Sequence, residues 1–264
     1  MSAAKSMTLS LSSASRASLR VLFAFLAAVF VQAAFGQGGP PLVTDDPGTP
    51  GNKHWEINVA FTESRFPYGT VYEVPHLDLN YGYGNNVQLK LEGPLTIFNG
   101  AGQDYASLGY TNWGVKWRFQ DENDKGRWSL STYPQVLFIG NRGLANAGVL
   151  DPGTDFLLPV EAMKTFGLFQ IDFEVGLLFR QFTGTQLDYG MCGEYDLNKR
   201  FALLGEIHDV TSSTYVQDEL IWNLGLKWDL SEHQSLICSA GRGFGPSDVD
   251  NSGFITYLGI QFRT

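Results

Sequence analysis

The chain has 264 residues and a formal net charge of −9, which argues against nucleic acid as a partner, because such a partner needs a basic face. Only 17% of residues are charged, against about 25% in an average soluble domain, while aromatics reach 14% and glycines number 30. Such a surface needs less charge than water would demand, and the length suits one large β-domain.

The first residues carry Lys5, Arg16 and Arg20 and no acid, followed by an uncharged apolar run from Val21 to Ala34. Small-x-small sites follow at Val31-Gln32-Ala33 and Ala34-Phe35-Gly36. That order is a cleaved secretory signal peptide over residues 1–36, with an apolar core shorter than the roughly 20 residues of a spanning helix. Residues 37–53 are rich in Pro and Gly and read as an extended periplasmic lead-in without a core of its own. Asp45-Asp46 within it read as solvated acids rather than a calcium site, and the segment is too short for a plug domain.

From residue 54 to 264 the pattern alternates with period 2. Trp55, Ile57, Val59 and Phe61 alternate with Glu56, Asn58, Ala60 and Thr62. Trp113, Val115, Trp117 and Phe119 alternate with Gly114, Lys116 and Arg118. Phe169 to Phe179 does the same, interrupted by Leu178. Twelve such runs begin near residues 54, 70, 87, 105, 127, 155, 168, 186, 201, 219, 235 and 253. The fold expected is all-β: an antiparallel up-and-down transmembrane barrel of about 12 strands.

Short polar links follow the even-numbered runs, and looser ones follow runs 1, 3, 5, 9 and 11, with the short FTGT after run 7 as the exception. The tight end is expected to be periplasmic. Trp55, Tyr81, Tyr83, Trp117, Phe119, Trp128, Tyr195, Phe201 and Trp228 all lie near that end, as a girdle at a lipid–water boundary would. Pro75, Pro94, Pro134 and Pro159 oppose unbroken strands, because proline removes a ladder hydrogen bond; bulges or strand ends are expected there. Alternation by itself does not say which face meets water. The signal peptide, low charge, even strand number and terminal run ending at Phe262 favour apolar-out over a soluble sandwich.

The motif Thr44-Asp45-Asp46-Pro47 before the first run, with Leu79-Asn80-Tyr81-Gly82 before a run ending near Glu92, resembles the family called "MetA-pathway of phenol degradation", outer-membrane proteins. The resemblance implies a barrel in the bacterial outer membrane that helps small, often aromatic, compounds cross it. It brings no catalytic or binding residue with it.

The polar face supplies the candidate lumen residues. They are Glu56, Asn58, His76, Asp78, Asn80, Lys90, Glu92, Lys116, Arg118, Asp172, Glu174, Arg180, Asp188, Glu194, Glu206, His208, Lys227 and Arg242. Their mixed signs suit either a selective pore wall or a lumen closed by ion pairs. His76 and His208, each two residues from an acid on the same face, read as hydrogen-bond pairs, and no recognisable hydrolase motif accompanies them. Gly241-Arg242-Gly243-Phe244-Gly245 reads as a loop rather than a phosphate cradle, and Cys192 and Cys238 fall on opposite faces, against a disulfide. The function expected is therefore a channel or transporter for small solutes and not an enzyme, with no cofactor or metal. Its partners would be outer-membrane lipid, the outer-membrane assembly machinery and a small-molecule solute. The alternative is a non-conducting structural or surface-binding barrel.

Overall fold

The computed structural model describes residues 39–100, 102–123, 125–140, 142–146, 150, 152–212, 219–244 and 253–264. The signal-peptide segment and most of the link after residue 244 lie outside the described residues. The strands are β1 (Trp55–Phe66), β2 (Gly69–Tyr83), β3 (Val87–Gly100), β4 (in two pieces, Gln103–Leu108 and Tyr110–Gln120) and β5 (Ser129–Thr132 and Gln135–Ile139). They continue as β6 (Thr154–Phe166), β7 (Phe169–Arg180), β8 (Gly184–Asn198), β9 (Phe201–Ser212), β10 (Glu219–Ser231), β11 (Gln234–Phe244) and β12 (Phe254–Arg263). A single helical turn, α1 (Gly143–Asn146), lies between β5 and β6.

Each strand pairs antiparallel with the next, and β12 closes on β1 from Glu56↔Arg263 to Arg65↔Phe254. The result is a closed barrel of twelve strands. Apart from the Gln103–Leu108 piece of β4, which has a ladder to β3 alone among the described residues, closure pairs each strand on both sides, so the ladder satisfies backbone N–H and C=O groups without water, which a spanning sheet requires.

Of Pro75, Pro94, Pro134 and Pro159, the first three lie at irregularities and the fourth does not. Register shifts at Ala60/Thr62 and Glu73/His76 bracket Pro75. Pro134 separates the two pieces of β5, and its carbonyl still accepts Val115 N–H at 3.0 Å. The carbonyl of Pro94 accepts Gly109 N–H at 3.0 Å where β4 divides. Pro159 stays in register opposite Gly176.

Burial runs opposite to that of a soluble barrel. In β4, Trp113, Val115, Trp117 and Phe119 are exposed, at 59%, 48%, 54% and 45%, while Gly114 and Lys116 between them are buried, as is Asn112 before them. The same inversion recurs in β7, where Phe173, Val175 and Leu177 face out and Asp172 and Glu174 face in. Among the described residues, most buried side chains are polar or charged. The outward apolar face is the one a lipid solvent accepts.

Two expectations are corrected here. The links after β1 and β3 are tight: Pro67 and Tyr68 join β1 to β2, and residues 101–102 join β3 to β4. Leu95 to Gly100, within the looser link expected after run 3, instead pairs with Gln103–Leu108. The long links are those after β5, β9 and β11, all at one end. At the other end, Trp55 and Tyr81 lie 4.8 Å apart between ring centroids, Trp117 and Phe119 5.6 Å, and Phe201 and Trp228 5.5 Å.

The second correction concerns the segment before β1. Residues 39–46 do not lie in solvent but inside the barrel: Leu42, Thr44 and Asp46 are buried, and Leu42 packs on Cys192 and Leu204 of the inner wall. The chain then turns at the tight end, where Thr49 donates to the Asn85 carbonyl at 2.8 Å and Lys53 N–H to Gly82 at 2.8 Å, before entering β1. The lead-in has no ladder of its own, and inward-facing acids of the wall accept the amides of Val43, Thr44 and Asp45 instead.

Candidate functional site: the barrel lumen

The inward face is built from alternate residues of every strand, so its chemistry follows directly from the period of two. It divides into two networks joined by residues 41–46.

The first network centres on Tyr133, fully buried at the interruption of β5. Lys116 Nζ lies 4.6 Å above its ring and Lys90 Nζ 5.9 Å from it. Lys116 pairs with Asp45 at 2.7 Å and Glu161 at 3.7 Å, and donates to the Asp46 carbonyl. Lys90 pairs with Glu92 at 2.8 Å and Asp78 at 3.7 Å. His76 sits between Glu73 and Glu92, 2.8 Å from each. Asp78 accepts from Asn58 at 3.1 Å and Asn80 at 3.0 Å, and Gln88 bridges Asn80 and the Tyr133 hydroxyl at 2.8 and 3.1 Å. Glu56 accepts from Asn58 at 3.5 Å.

The second network holds the lead-in. Glu206 accepts Val43 N–H at 3.0 Å, Thr44 N–H at 2.9 Å and the Asn223 amide at 2.6 Å. Glu174 accepts Asp45 N–H at 2.8 Å, and Ser239 donates to the Pro41 carbonyl at 2.6 Å. His208 Nε2 lies 2.9 Å from Asp188. Gln170 donates to Asp172 at 3.1 Å, Cys192 Sγ lies 3.6 Å from Asp172, and Lys227 pairs with Glu194 at 3.6 Å. Cys192 is buried and Cys238 half-buried on the opposite register, both with free thiols.

Two of the sequence candidates sit nearer the barrel ends. Arg118 pairs with Asp121 at 2.7 Å and donates to the Asn85 carbonyl at 2.8 Å. Arg180 donates to Gln186 at 2.5 Å and lies 3.8 Å from Asp155. Arg242 departs from expectation: it is exposed, on the register of Phe244, with its guanidinium 5.5 Å from that ring. The inward positions of β11 are Ser235, Ile237, Ser239, Gly241 and Gly243, so the glycines and not the arginine face the lumen.

Sequence reasoning missed Tyr133, Glu161, Glu73 and the whole lead-in. Tyr133 directly precedes Pro134 and Glu161 follows Pro159 by two, so both lie where proline obscures the alternation. The signal was available for Glu161, the one acid in the apolar run from Phe156 to Met163. Among the described residues neither His76 nor His208 hydrogen-bonds to a serine; their partners are carboxylates.

On the lipid side, a groove of about 480 Å³ is lined by Val160, Phe173, Tyr189, Met191 and Ile207, with buried Glu174 and Gly190 also contributing.

No family model matches the chain, and no curated protein matches it. Solved structures do. The COG4313 outer membrane channel from Pseudomonas putida F1 is similar over 86% of this chain and 100% of that one, at 12% identity and a TM-score of 0.65. The KdgM porin is similar over 78% of this chain and 98% of that one, at 8% identity and a TM-score of 0.54. KdgM in complex with disordered oligogalacturonate matches at 9% identity over 78% of this chain and 98% of that one, with a TM-score of 0.54. At these identities the likeness is one of fold, and the fold is that of Gram-negative outer-membrane barrels.

Proposed function

We propose that the protein is an outer-membrane channel for small solutes, hydrophobic or aromatic ones among them, with the tight turns on the periplasmic side. The observation that carries this reading is a closed barrel with an apolar belt outside and a mixture of acids, bases and amides inside. A lumen built only for stability has no need of so many buried ionic groups, since buried ion pairs contribute little net stability over apolar packing. A solute passing the lead-in would exchange water for the lysines, carboxylates and aromatic ring around Tyr133. The outer groove beside Glu174 gives apolar compounds a place against the wall and supports the hydrophobic part of the reading. The fold shared with one channel and one porin supports the transport part. Lipid surrounds the belt, and the outer-membrane assembly machinery inserts the chain.

The second reading, a non-conducting structural or surface-binding barrel, is favoured by one observation: residues 41–46 are held to the wall by Glu206, Glu174, Lys116 and Ser239. Permeation into proteoliposomes separates the two. Small aromatic acids and sugars of matched mass should enter faster than into protein-free liposomes, with the aromatics favoured. Equal rates with and without folded protein would remove the channel reading.

A further inference from the structure

Across three neighbouring strands, Glu174 of β7, Gly190 of β8 and His208 of β9 stand directly opposite one another in the ladder. Asp188, two residues before Gly190 on the same strand, faces the same way. One ligand atom from each of Glu174, Asp188 and His208 falls within 4.8 Å of the others, and all three residues are buried. Gly190 leaves the centre of this row without a side chain, and a Cβ there would collide with the Thr44 hydroxyl and the His208 ring. Thr44 is completely buried, and its Oγ1 has no hydrogen-bond partner. A buried hydroxyl without a partner, placed at a gap between two acids and an imidazole, is an orphan that a ligand would satisfy.

We infer that Glu174, Asp188 and His208 form a binding site for one divalent first-row transition ion of the zinc type, with the Thr44 hydroxyl as a fourth ligand. The donor set decides the class: imidazole nitrogen and carboxylate oxygen suit Zn²⁺, whereas Ca²⁺ and Mg²⁺ prefer oxygen alone. The charge also balances. Neither Glu174 nor Asp188 has a lysine or arginine within ion-pair distance among the described residues; Glu174 accepts a backbone amide and Asp188 faces His208. A dication with two carboxylates and a neutral imidazole leaves no net charge in the buried site, which is the condition burial imposes. The His208–Asp188 contact of 2.9 Å opens slightly on metallation, as two ligands of one ion must stand further apart than a hydrogen bond. The inference does not depend on whether the barrel conducts.

The test is titration of the untagged, detergent-purified protein with Zn²⁺ after chelator treatment, followed by calorimetry. One saturable equivalent is expected. Glu174→Gln and His208→Gln should each weaken it at least about tenfold, and the pair His54→Ala with His233→Ala, at exposed positions, should leave it unchanged. Absence of a saturable equivalent, or binding unaltered in both variants, overturns the site. A measurement on the wild-type protein keeps the test decisive even if a variant fails to fold. Co²⁺ bound there should show the weak visible bands of a nitrogen–oxygen shell. An intense thiolate charge-transfer band would place the ion at a cysteine instead and overturn the assignment.

Discussion

Lys116 Nζ lies 2.7 Å from Asp45 Oδ1, so a lysine of the barrel wall is paired with an acid from the segment that precedes the first strand. Glu161, fully buried, stands 3.7 Å from the same nitrogen. Lys116 thus serves two carboxylates at once and ties the lead-in to β4 and β6.

Removing that lysine leaves uncompensated charge inside the barrel. Lys116→Met is expected to destabilise the folded barrel by about 3–5 kcal/mol, the range for breaking a buried pair from one side. The temperature at which the folded band converts to the unfolded one in detergent gels should fall accordingly. Adding Asp45→Asn and Glu161→Gln to the lysine variant should restore much of the loss, and no recovery would mean the pairing is not the cause.

Glu206 accepts two consecutive amides of the lead-in, from Val43 and Thr44. Glu206→Gln keeps the shape but replaces charge-assisted bonds with neutral ones of roughly half the strength. The lead-in should loosen, and open-channel current noise should rise above that of the wild type. Current traces identical to wild type would show that the amide contacts do not hold the segment.

The outward face is set by Val115, 48% exposed between inward Gly114 and Lys116. Val115→Arg is expected to cost about 2–4 kcal/mol in lipid if it stands near the bilayer midplane. Arg242, which already faces outward beside Phe244, lies near a strand end where such a charge is tolerated, so Arg242→Ala should change stability little. Urea-induced unfolding in lipid vesicles measures both, and equal effects would contradict the orientation of the wall.

At the tight-turn end, Glu122 accepts Thr165 N–H at 3.0 Å and the Thr165 hydroxyl at 2.9 Å, with Lys164 at 2.9 Å. Desolvation raises its pKa, but these partners outweigh it and hold the carboxyl below the ordinary carboxylate value. A lowered folded-state pKa means the contribution is present above the unfolded value of about 4.3 and fades as pH falls through the folded one. Amide exchange at Thr165 should therefore remain protected near neutral pH and accelerate below pH 4 beyond its intrinsic rate. Glu122→Gln should lack that acid-dependent step.

The strand rhythm was legible because alternation survives wherever one face meets a single solvent, as from Trp113 to Phe119 or from Phe169 to Phe179. Alternation carries no sign, and the sign came from burial: Lys116 is 2% exposed and Trp117 54%. Arg242 was misplaced because its flanking glycines carry no hydrophobic pattern to fix the register. Asp45 and Asp46 suggest solvent because they are acidic, yet in a barrel with a polar interior polar residues belong inside. Its partners, Glu174 and Glu206, lie 129 and 162 residues away from the amides they accept, a separation that no local pattern reports.

Single-channel recording in planar bilayers tests the central claim most directly. With purified, heat-modifiable protein, small discrete conductance steps are expected, limited by the lead-in beside Lys116 and Glu206. A bilayer that stays sealed with the same folded protein inserted would contradict the channel and leave a closed structural barrel.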